Sequence, residues 1–591
     1  MGRLARAEKY IMLNASKAEE SVPQTMDGEN HRSGSEAEIP ASQELVWYPC
    51  NQMFECARLS VPLNPLEPDN GLSSEIPVIK HPAAKSNEYK GIILTNPGGP
   101  GLSGVSFILE AGTVIADLVG QGWDIIGFDT RGTGYSKPNG AVGYGKIPLA
   151  PELQNASSTR ADRVIKRSVT TDFGIKIPAS PDSWVQKQYE LGTELDTLIQ
   201  KNANADNQAV PYMTTPNVAF DMLQIAKANA RSQNISDEDV LVNFYGISYG
   251  TVLGQTFASL YPQHVGRFVL DGVVDINDYY SGNVGLTRFD EGLSTFFARC
   301  FDAGPEGCSF YTGQTQNDIR DRFNSLMAQL DSSKAVSEKW KNATIIQETR
   351  DVIRGLLMSA PYDAISNFSL LADGLIVIEG WVKADALLEN RETILQMSPN
   401  PFSLPSRLEY FFEIQCSDMN NPLVGSKQLS KNIIDSMRHS SVVAGETFIG
   451  QYAVCSRLQL KAKWKFDGKI GGDTKNPMLF IGSSGDPATP FENAEVAQKR
   501  YKGSQMVYVE ADAHGIIGQS NKCVHDNVKA YLENLTLPGR NNRCGRDGEP
   551  LNPSEKSSAG LSTLESLNTF GRGMCLMLAL VIGADVFHHV M

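Results

Sequence analysis

One short motif contains the residues best suited to chemistry: Gly246-Ile247-Ser248-Tyr249-Gly250. An apolar segment, VLVNFY, precedes it, and a segment with a helical pattern, TVLGQTFASLYP, follows it. A serine at a sharp turn from a buried strand into a helix has a strained backbone, and small neighbours let the strand and helix pass closely. Gly-x-Ser-x-Gly alone is a weak signal in a chain with 52 glycines, but this context strengthens it. The motif therefore predicts Ser248 as a nucleophile.

A serine hydroxyl is unreactive near neutral pH until a neighbouring base accepts its proton, and after such a turn the acid and then the histidine follow along the chain. His514 ends the segment QMVYVEADAH, whereas His525 lies in a helical pattern and is expected at the surface. Asp486 ends PMLFIGSSGD, which places its carboxylate at the carboxyl edge of a sheet. Asp512 is the alternative acid, but it lies two residues from His514, which leaves little chain to bring the two side chains together. We predict a triad of Ser248, Asp486 and His514.

Acyl transfer also requires hydrogen-bond donors aimed at the oxygen that becomes negative, and removing one donor costs about 3–4 kcal/mol of transition-state stabilisation. The predicted donors are the backbone N–H groups of Tyr249 and of Gly99 in the loop NPGGPG, where glycines let the backbone approach a substrate. A phosphate-binding loop is the competing interpretation. The chain lacks the GxxxxGKS or GxxxxGKT pattern that such a loop requires.

Seven short apolar segments with little alternation are available to position these residues. Such runs are typical of strands buried on both faces of a parallel sheet. Helical patterns at 216–232 and 251–262 lie between them, so right-handed βαβ connections are expected. The predicted fold class is α/β with a doubly wound, mostly parallel sheet. The apolar segments are 58–63, 91–99, 123–130, 240–248, 266–275, 477–486 and 505–514.

The alternation stops after residue 275, where segments such as IIQETRDVIRGLLMSA have helical patterns. We predict a helical cap at 276–410, inserted between two parts of the core at 46–275 and 411–545. Residues 141–210 show no clear pattern.

Several ordered motifs resemble the tripeptidyl-aminopeptidase-like branch of the α/β-hydrolases, relatives of the proline iminopeptidases. The resemblance spans roughly residues 46–545 and implies a helical cap over the site and cleavage of short peptides from a free N-terminus. It also implies that Asp129 and Arg131 are mainly structural residues beside the glycine-rich loop. The motifs are, in order, WYPC, FECARLSVPLNP, LTNPGGPGLSG, WDIIGFDTRGTGYS, FYGISYGTVLGQTFASLYPQHVGRFVLDGVVD, FIGSSGDPATPFENA and ADAHG.

The net charge of −14 and a pI near 5.2 argue against nucleic acid as a partner, because phosphate is attracted by basic patches. The nine cysteines include no CxxC spacing, so we predict neither a metal site nor a cofactor. Short spacing predicts the disulfides Cys50–Cys56 and Cys300–Cys308. Elimination then pairs Cys416 with Cys455 and Cys523 with Cys544, leaving Cys575 unpaired.

The cysteines, together with six N-x-S/T sequons, favour a secreted or cell-surface glycoprotein. Residues 1–20 contain no apolar segment of the length a signal peptide needs, so an intracellular location is the alternative. The sequons are at Asn14, Asn155, Asn234, Asn342, Asn367 and Asn534.

The two ends differ from the rest of the chain. Residues 1–45 are polar and lack periodicity, which predicts a disordered leader. Residues 546–591 are expected to form a linker and an apolar tail, whose run at 574–584 is shorter than the ~20 residues of a spanning helix. Small residues at 557–560 precede it, a pattern compatible with a lipid-anchor signal and attachment to a membrane; a poorly packed terminal helix is the alternative.

Three functions fit these residues. The first is an exopeptidase acting on short peptides; the second is an esterase or thioesterase acting on a small acyl substrate with the same triad, because both share acyl-enzyme chemistry. The third is a catalytically dead binding module, which the intact triad argues against. An exopeptidase must bind an α-ammonium group, and a buried cation requires a carboxylate or strong acceptors. The candidate carboxylates are Asp363, Asp373, Glu413 and Asp418, of which Glu413 and Asp418 flank Cys416 where the chain re-enters the core.

Overall fold

The computed structural model describes most of the chain between residues 39 and 551. Most of the predicted leader, the apolar tail and Cys575 lie outside the described residues, as do the sequons at Asn14, Asn155 and Asn342. The described residues are 39–51, 53–84, 88–140, 173–202, 209–282, 288–331, 343–397, 408–420, 429–517, 519, 521–539 and 543–551.

Ten strands form one sheet in the described part of the chain. They are β1 (Tyr48–Cys50), β2 (Phe54–Pro62), β3 (Ser73–His81), β4 (Gly91–Asn96), β5 (Trp123–Phe128), β6 (Val242–Ile247), β7 (Val265–Asp271), β8 (Leu479–Ser483), β9 (Gln505–Val509) and β10 (Arg543–Cys544). Their order is β1-β2-β3-β5-β4-β6-β7-β8-β9-β10. The pairs β1·β2, β2·β3 and β3·β5 are antiparallel, and the later pairs are parallel. The predicted mostly parallel α/β sheet is confirmed.

Helices cover both faces of this sheet. Those that pack on it are α1 (Gly104–Val119), α3 (Thr215–Ser232), α4 (Tyr249–Leu260), α14 (Phe491–Arg500) and α15 (Lys522–Asn534), and α2 (Asp182–Asn202) lies between α1 and α3 in the chain. In β5, Ile125 belongs to the apolar layer that contains α1 and α15, whereas Ile126 belongs to the layer that contains α3, α4 and α14. Both side chains are fully buried. Burial on two faces explains why the strands appear in the sequence as apolar runs.

Nine helices lie between β7 and β8 in the described residues. They are α5 (Ile276–Ser281), α6 (Phe289–Gly307), α7 (Gln316–Gln329), α8 (Ala343–Ser359), α9 (Ala364–Ala384), α10 (Arg391–Gln396), α11 (Leu408–Asp418), α12 (Lys431–Ser440) and α13 (Gly445–Cys455). Helices α6 to α10, α12 and α13 share a second apolar core, which α2 joins through Trp184 and Tyr189. We call this unit the cap. Helix α9 is long and apolar enough to cross a membrane, but 61% of its apolar window is buried inside the protein.

The cap is not confined to the predicted range 276–410. Helix α11 packs against the sheet core, as expected for a chain that re-enters it, but α12 and α13 then return to the cap before β8 begins at Leu479. Helix α13 is buried along its whole length, so its sequence has no polar face that would mark it as a helix. The helix α2 was also missed, within the stretch 141–210.

All four expected disulfides are present: Cys50–Cys56, Cys300–Cys308, Cys416–Cys455 and Cys523–Cys544. The first closes the β1–β2 hairpin and the second closes the end of α6. The third joins α11 to α13, and the fourth joins α15 to β10.

Candidate active site

Ser248 is the single residue between the end of β6 and the start of α4. Its φ of 56° lies in the left-handed region, which non-glycine residues seldom adopt. Its N–H donates to the main-chain oxygen of Asp271 at 3.0 Å, which fixes the turn to β7. A Cβ added to Gly250 would lie 2.6 Å from the main-chain oxygen of Asn96, so this position of the motif requires glycine. The turn leaves Ser248 partly exposed at the carboxyl edge of the sheet.

His514 follows β9, and its ring contacts the carboxylate of Asp486. Nδ1 of His514 is 2.9 Å from each carboxylate oxygen of Asp486 and 2.9 Å from Oγ1 of Thr489. Asp486 is fully buried and accepts the N–H of Thr489 at 2.7 Å, the Thr489 hydroxyl at 2.7 Å and the N–H of Gly515 at 3.2 Å. Nε2 of His514 is buried and has no hydrogen-bond partner within the described residues. With Nδ1 occupied by the acid, Nε2 is the nitrogen left to accept a proton.

Asp512 and His525, the alternatives to Asp486 and His514, lie in different surroundings. Asp512 forms ion pairs with Arg546 at 2.6 Å and Arg299 at 3.2 Å, so its charge is directed away from the imidazole. His525 lies in the first half of α15, where burial lowers its pKa. The structure therefore brings together Asp486 and His514, and it places neither Asp512 nor His525 with them.

The glycine-rich loop after β4 lies directly on the Ser248 turn. Gly98, Gly99 and Gly101 have φ values of 104°, 103° and 95°. A Cβ added to Gly98 would lie 2.9 Å from Cβ of Ser248 and 3.3 Å from the backbone nitrogen of Tyr249. Only a residue without a side chain fits this approach. The loop that carries the predicted donor Gly99 thus meets the Ser248 turn through Gly98, and the other predicted donor, Tyr249, is the residue after Ser248.

Asp129 and Arg131 hold the loop that follows β5. Asp129 is fully buried and accepts the hydroxyl of Ser103 at 2.6 Å and the N–H of Tyr135 at 2.8 Å. Arg131 is fully buried and donates from Nε to Asp221 at 2.8 Å. These partners agree with the structural roles that the resemblance implied.

The four candidate carboxylates for an ammonium group lie in different surroundings. Asp418 is fully buried and accepts from the N–H and hydroxyl of Thr215 at 2.9 and 2.6 Å and from the hydroxyl of Tyr279 at 2.9 Å. Burial raises the pKa of Asp418 to about 6, although these donors oppose the shift. Asp363 caps the N-terminus of α9, and Asp373 lies within that helix. Asp418 is thus engaged by protein donors within the core.

Glu413 is fully buried on α11, one turn after Tyr410. Tyr410 packs on the glycine-rich loop, because a Cβ added to Gly101 would lie 2.9 Å from Cβ of Tyr410. A Cβ added to Gly140 would meet both the Glu413 carboxylate and the Tyr410 ring. Glu413 therefore lies on the side of α11 that faces the loop beside the candidate nucleophile.

Three residues that contact the site were not found from the sequence. Thr489 bridges Asp486 and His514, Tyr362 packs its ring against the imidazole at 4.9 Å between centroids, and Asp271 lies beneath the loop that carries His514. The DPAT sequence, a carboxylate followed by a threonine three residues later, is the kind of turn signal that could have indicated Thr489. Tyr362 comes from the cap, and no sequence pattern indicated its contact with His514.

Two family models match the chain: one described as alpha/beta hydrolase fold over residues 91–304, and one described as TAP-like protein over residues 440–544. The chain belongs to the α/β-hydrolases. Within them it falls in the TAP-like branch, as its motifs indicated, and it is a serine hydrolase.

Curated relatives align over most of this hydrolase at low identity. Tripeptidyl aminopeptidase of Streptomyces lividans is 24% identical over 507 residues, which cover 84% of each chain. Serine protease Hip1 of Mycobacterium tuberculosis is 24% identical over 534 residues, covering 86% of this chain and 92% of its own. Carboxylesterase B of Mycobacterium tuberculosis is 23% identical over 506 residues, covering 83% and 86%.

Proposed function

We propose that this hydrolase is an aminopeptidase that removes short peptides from a free N-terminus, with Ser248 as nucleophile, His514 as base and Asp486 as acid. The observation that carries the assignment is the contact of Nδ1 of His514 with both oxygens of Asp486 at 2.9 Å. Asp271 links this pair to the serine, because it accepts the N–H of Ser248 and the N–H of Ile516 on the His514 loop. In this proposal the three residues take the roles of a serine–histidine–acid triad.

In this proposal Nε2 of His514 accepts the proton of the Ser248 hydroxyl as Oγ attacks the scissile carbonyl carbon. Asp486 holds the imidazole and stabilises the positive charge it gains. The N–H groups of Tyr249 and Gly99 donate to the carbonyl oxygen as it becomes negative. His514 then gives its proton to the leaving amine, and water hydrolyses the acyl-enzyme by the same route.

The preference for short peptides is supported by the cap. Helices of the cap contact the loop that carries the base: the N–H of His514 donates to the main-chain oxygen of Tyr362 at 2.8 Å, and the N–H of Ala364 donates to that of Asp512 at 3.1 Å. A cap held against the base loop in this way supports a site that admits short substrates in preference to a long folded one. The name of the Streptomyces relative, a tripeptidyl aminopeptidase, supports the same substrate class.

We assign the α-ammonium group of the substrate to Glu413. Asp418 lies at the junction of α3, α5 and α11, where it accepts from Thr215 and Tyr279. Glu413 is buried on the same face of α11 as Tyr410, which touches the glycine-rich loop. A buried carboxylate next to that loop can offset the desolvation of an ammonium group.

The test compares a free tripeptide amide substrate with its N-acetylated form on the wild type and on Glu413→Gln. Acetylation removes the charge and leaves the scissile bond intact, so wild-type kcat/KM should fall about 30-fold or more, as when one side of a buried charge pair is lost. Glu413→Gln should lose a similar factor on the free peptide and little more on the acetylated one, which serves as its matched control. Equal wild-type rates on the two peptides would refute the aminopeptidase assignment.

An esterase with the same triad is the second candidate, favoured by the alignment with carboxylesterase B. The same panel should therefore include p-nitrophenyl esters of short acyl chains. Rapid ester cleavage with no cleavage of any peptide would establish this candidate in place of the first.

A further inference from the structure

A second fully buried carboxylate, Asp271, lies beside the candidate triad and has no part in the mechanism above. It ends β7, the strand next to the one that leads into Ser248. Its main-chain oxygen accepts the N–H of Ser248 at 3.0 Å. Its Oδ2 accepts the hydroxyl of Tyr245 at 2.9 Å and the N–H of Ile516, two residues after His514, at 3.0 Å. One residue is thus bonded to both the nucleophile turn and the base loop.

Asp271 and the base loop approach so closely that a side chain added at either of two glycines would require its neighbours to shift. A Cβ added to Gly515 would lie 3.3 Å from Oδ2 of Asp271. A Cβ added to Gly272, the residue after Asp271, would lie 3.2 Å from Cε1 of His514. The Asp271 carboxylate therefore lies under the loop next to the imidazole, without touching Nδ1 or Nε2.

The electrostatics of this carboxylate depend on the imidazole. Burial raises the pKa of Asp271 to about 6; a protonated His514 lowers it and the charge of Asp486 raises it. Its Oδ1 is buried and has no hydrogen-bond partner within the described residues. A negative charge on Asp271 interacts strongly with a cation that forms nearby, because the low-dielectric interior screens it weakly.

We propose that Asp271 is a positioning residue that fixes the Ser248 turn to the His514 loop and stabilises, through space, the positive charge that His514 gains during catalysis. This inference rests on the assignment of Ser248 and His514 under the proposed function. It adds a carboxylate that acts through the base and touches no substrate.

Other charged and titratable groups face the base loop and stay unchanged in the test. Asp486 comes from the end of β8, and Tyr362 and Asp363 come from the cap. Asp512 lies on the loop itself and is paired with Arg299 and Arg546. The hydroxyl of Tyr245 is bonded to Asp271 itself.

The experiment measures the rate of labelling by a fluorophosphonate as a function of pH, which needs no knowledge of the natural substrate. Asp271→Asn keeps an acceptor for Ile516 and removes the charge. The imidazolium then loses stabilisation, so the acid limb of the labelling profile should move to lower pH by about one unit and the plateau rate should fall several-fold. Asp275→Asn is the matched control. Asp275 lies four residues after Asp271, caps α5 and pairs with Arg500, so the acid limb of this variant should stay in place.

The outcomes separate the possible failures. If the Ser248→Ala variant is still labelled, the proposed function fails. If Ser248→Ala is not labelled, but Asp271→Asn has a lower plateau with the acid limb of the wild type, Asp271 is only structural and this inference is overturned. Should Asp271→Asn not fold by its thermal melt, Tyr245→Phe supplies the test. Loss of the hydroxyl donor makes the Asp271 charge less stable, so the limb should move in the same direction by a smaller amount, and an unmoved limb would overturn the inference.

Discussion

Ser248 is held in an unfavourable backbone conformation by bonds to its neighbours. A non-glycine residue in the left-handed region costs roughly 1–3 kcal/mol, which the surrounding structure must offset. Here the N–H of Ser248 is bonded to Asp271, and its main-chain oxygen accepts the N–H of Thr251 at 2.8 Å. The turn leaves Ser248 partly exposed and in contact with the glycine-rich loop.

Replacing the residues of this triad should abolish chemistry while leaving the fold intact. Ser248→Ala should eliminate fluorophosphonate labelling and lower turnover by about three or more orders of magnitude, and His514→Ala should come close to it, because triad members act as a unit. His525→Ala is the matched control: it lies on α15, away from Asp486, and should keep most of the activity. Labelling and turnover of purified variants with wild-type melting curves measure this. A reversed order of the two histidine variants would contradict the choice of base.

The sequence indicated those candidate site residues that can be recognised from their order in the chain and from the strands that precede them. The order serine, acid, histidine and the turn after each strand predicted Ser248, Asp486 and His514, and the structure places Asp486 in contact with His514. Tyr362 and Asp271 could not be predicted, because their contact with His514 depends on how the cap and β7 pack around a loop that lies far away in the chain.

Helices α11, α3 and α5 meet at one carboxylate. Asp418, the last residue of α11, accepts from Thr215 at the start of α3 and from Tyr279 in α5. The hydroxyl of Thr215 also lies 2.7 Å from that of Tyr249, the residue after the candidate nucleophile. The packing of these helices is thereby linked to the turn that carries the chemistry.

The raised pKa of Asp418 makes the stability of this junction depend on pH. The folded state holds its proton up to about pH 6, against about 4 for an ordinary aspartate. The unfolding free energy that Asp418 contributes is therefore greatest below about pH 4 and falls by about 2–3 kcal/mol as the pH rises through about 6. The side chain of the Asp418→Asn variant cannot titrate. The unfolding free energy of the wild type minus that of the variant should therefore fall by this amount over the same pH range.

Denaturant unfolding of both proteins between about pH 4 and pH 7 measures this difference. Asp321→Asn, at an exposed aspartate of α7 that is 65% accessible, is the control and should give a difference that stays near zero. A difference that increases with pH for Asp418→Asn would show that burial does not disfavour its charge.

Elements were predictable where burial leaves a pattern in the sequence. The two-sided burial of β4 to β8 gave apolar runs, and the helical patterns of α3 and α4 stood out between them. Helix α13 has no such pattern, because all eleven of its residues are buried. Its place in the cap depends on tertiary packing with α2 and α12, which no local pattern specifies.

The molecule combines a ten-stranded sheet with a cap that contacts the loop of His514. Disulfides occur in four separate parts of this arrangement. The bond Cys416–Cys455 joins α11 to the end of α13, and both of its cysteines lie in the sheet core, whereas the earlier residues 448–453 of α13 pack in the cap. Four bonds in the described residues fit an oxidising compartment, and we propose that the protein works there.

The four bonds should contribute unequally to stability. A cross-link restricts the unfolded chain more when the closed loop is longer: the separation of 39 residues at Cys416–Cys455 corresponds to about 4 kcal/mol, and the separation of 6 residues at Cys50–Cys56 to about 2 kcal/mol. The double variant Cys416→Ala/Cys455→Ala should therefore lose more unfolding free energy than Cys50→Ala/Cys56→Ala, its control. Denaturant unfolding compares them, after non-reducing peptide mapping of the wild type has shown the four pairs with Cys575 free. A free thiol at Cys416 in protein from an oxidising compartment, or a larger loss from the hairpin pair, would contradict the prediction.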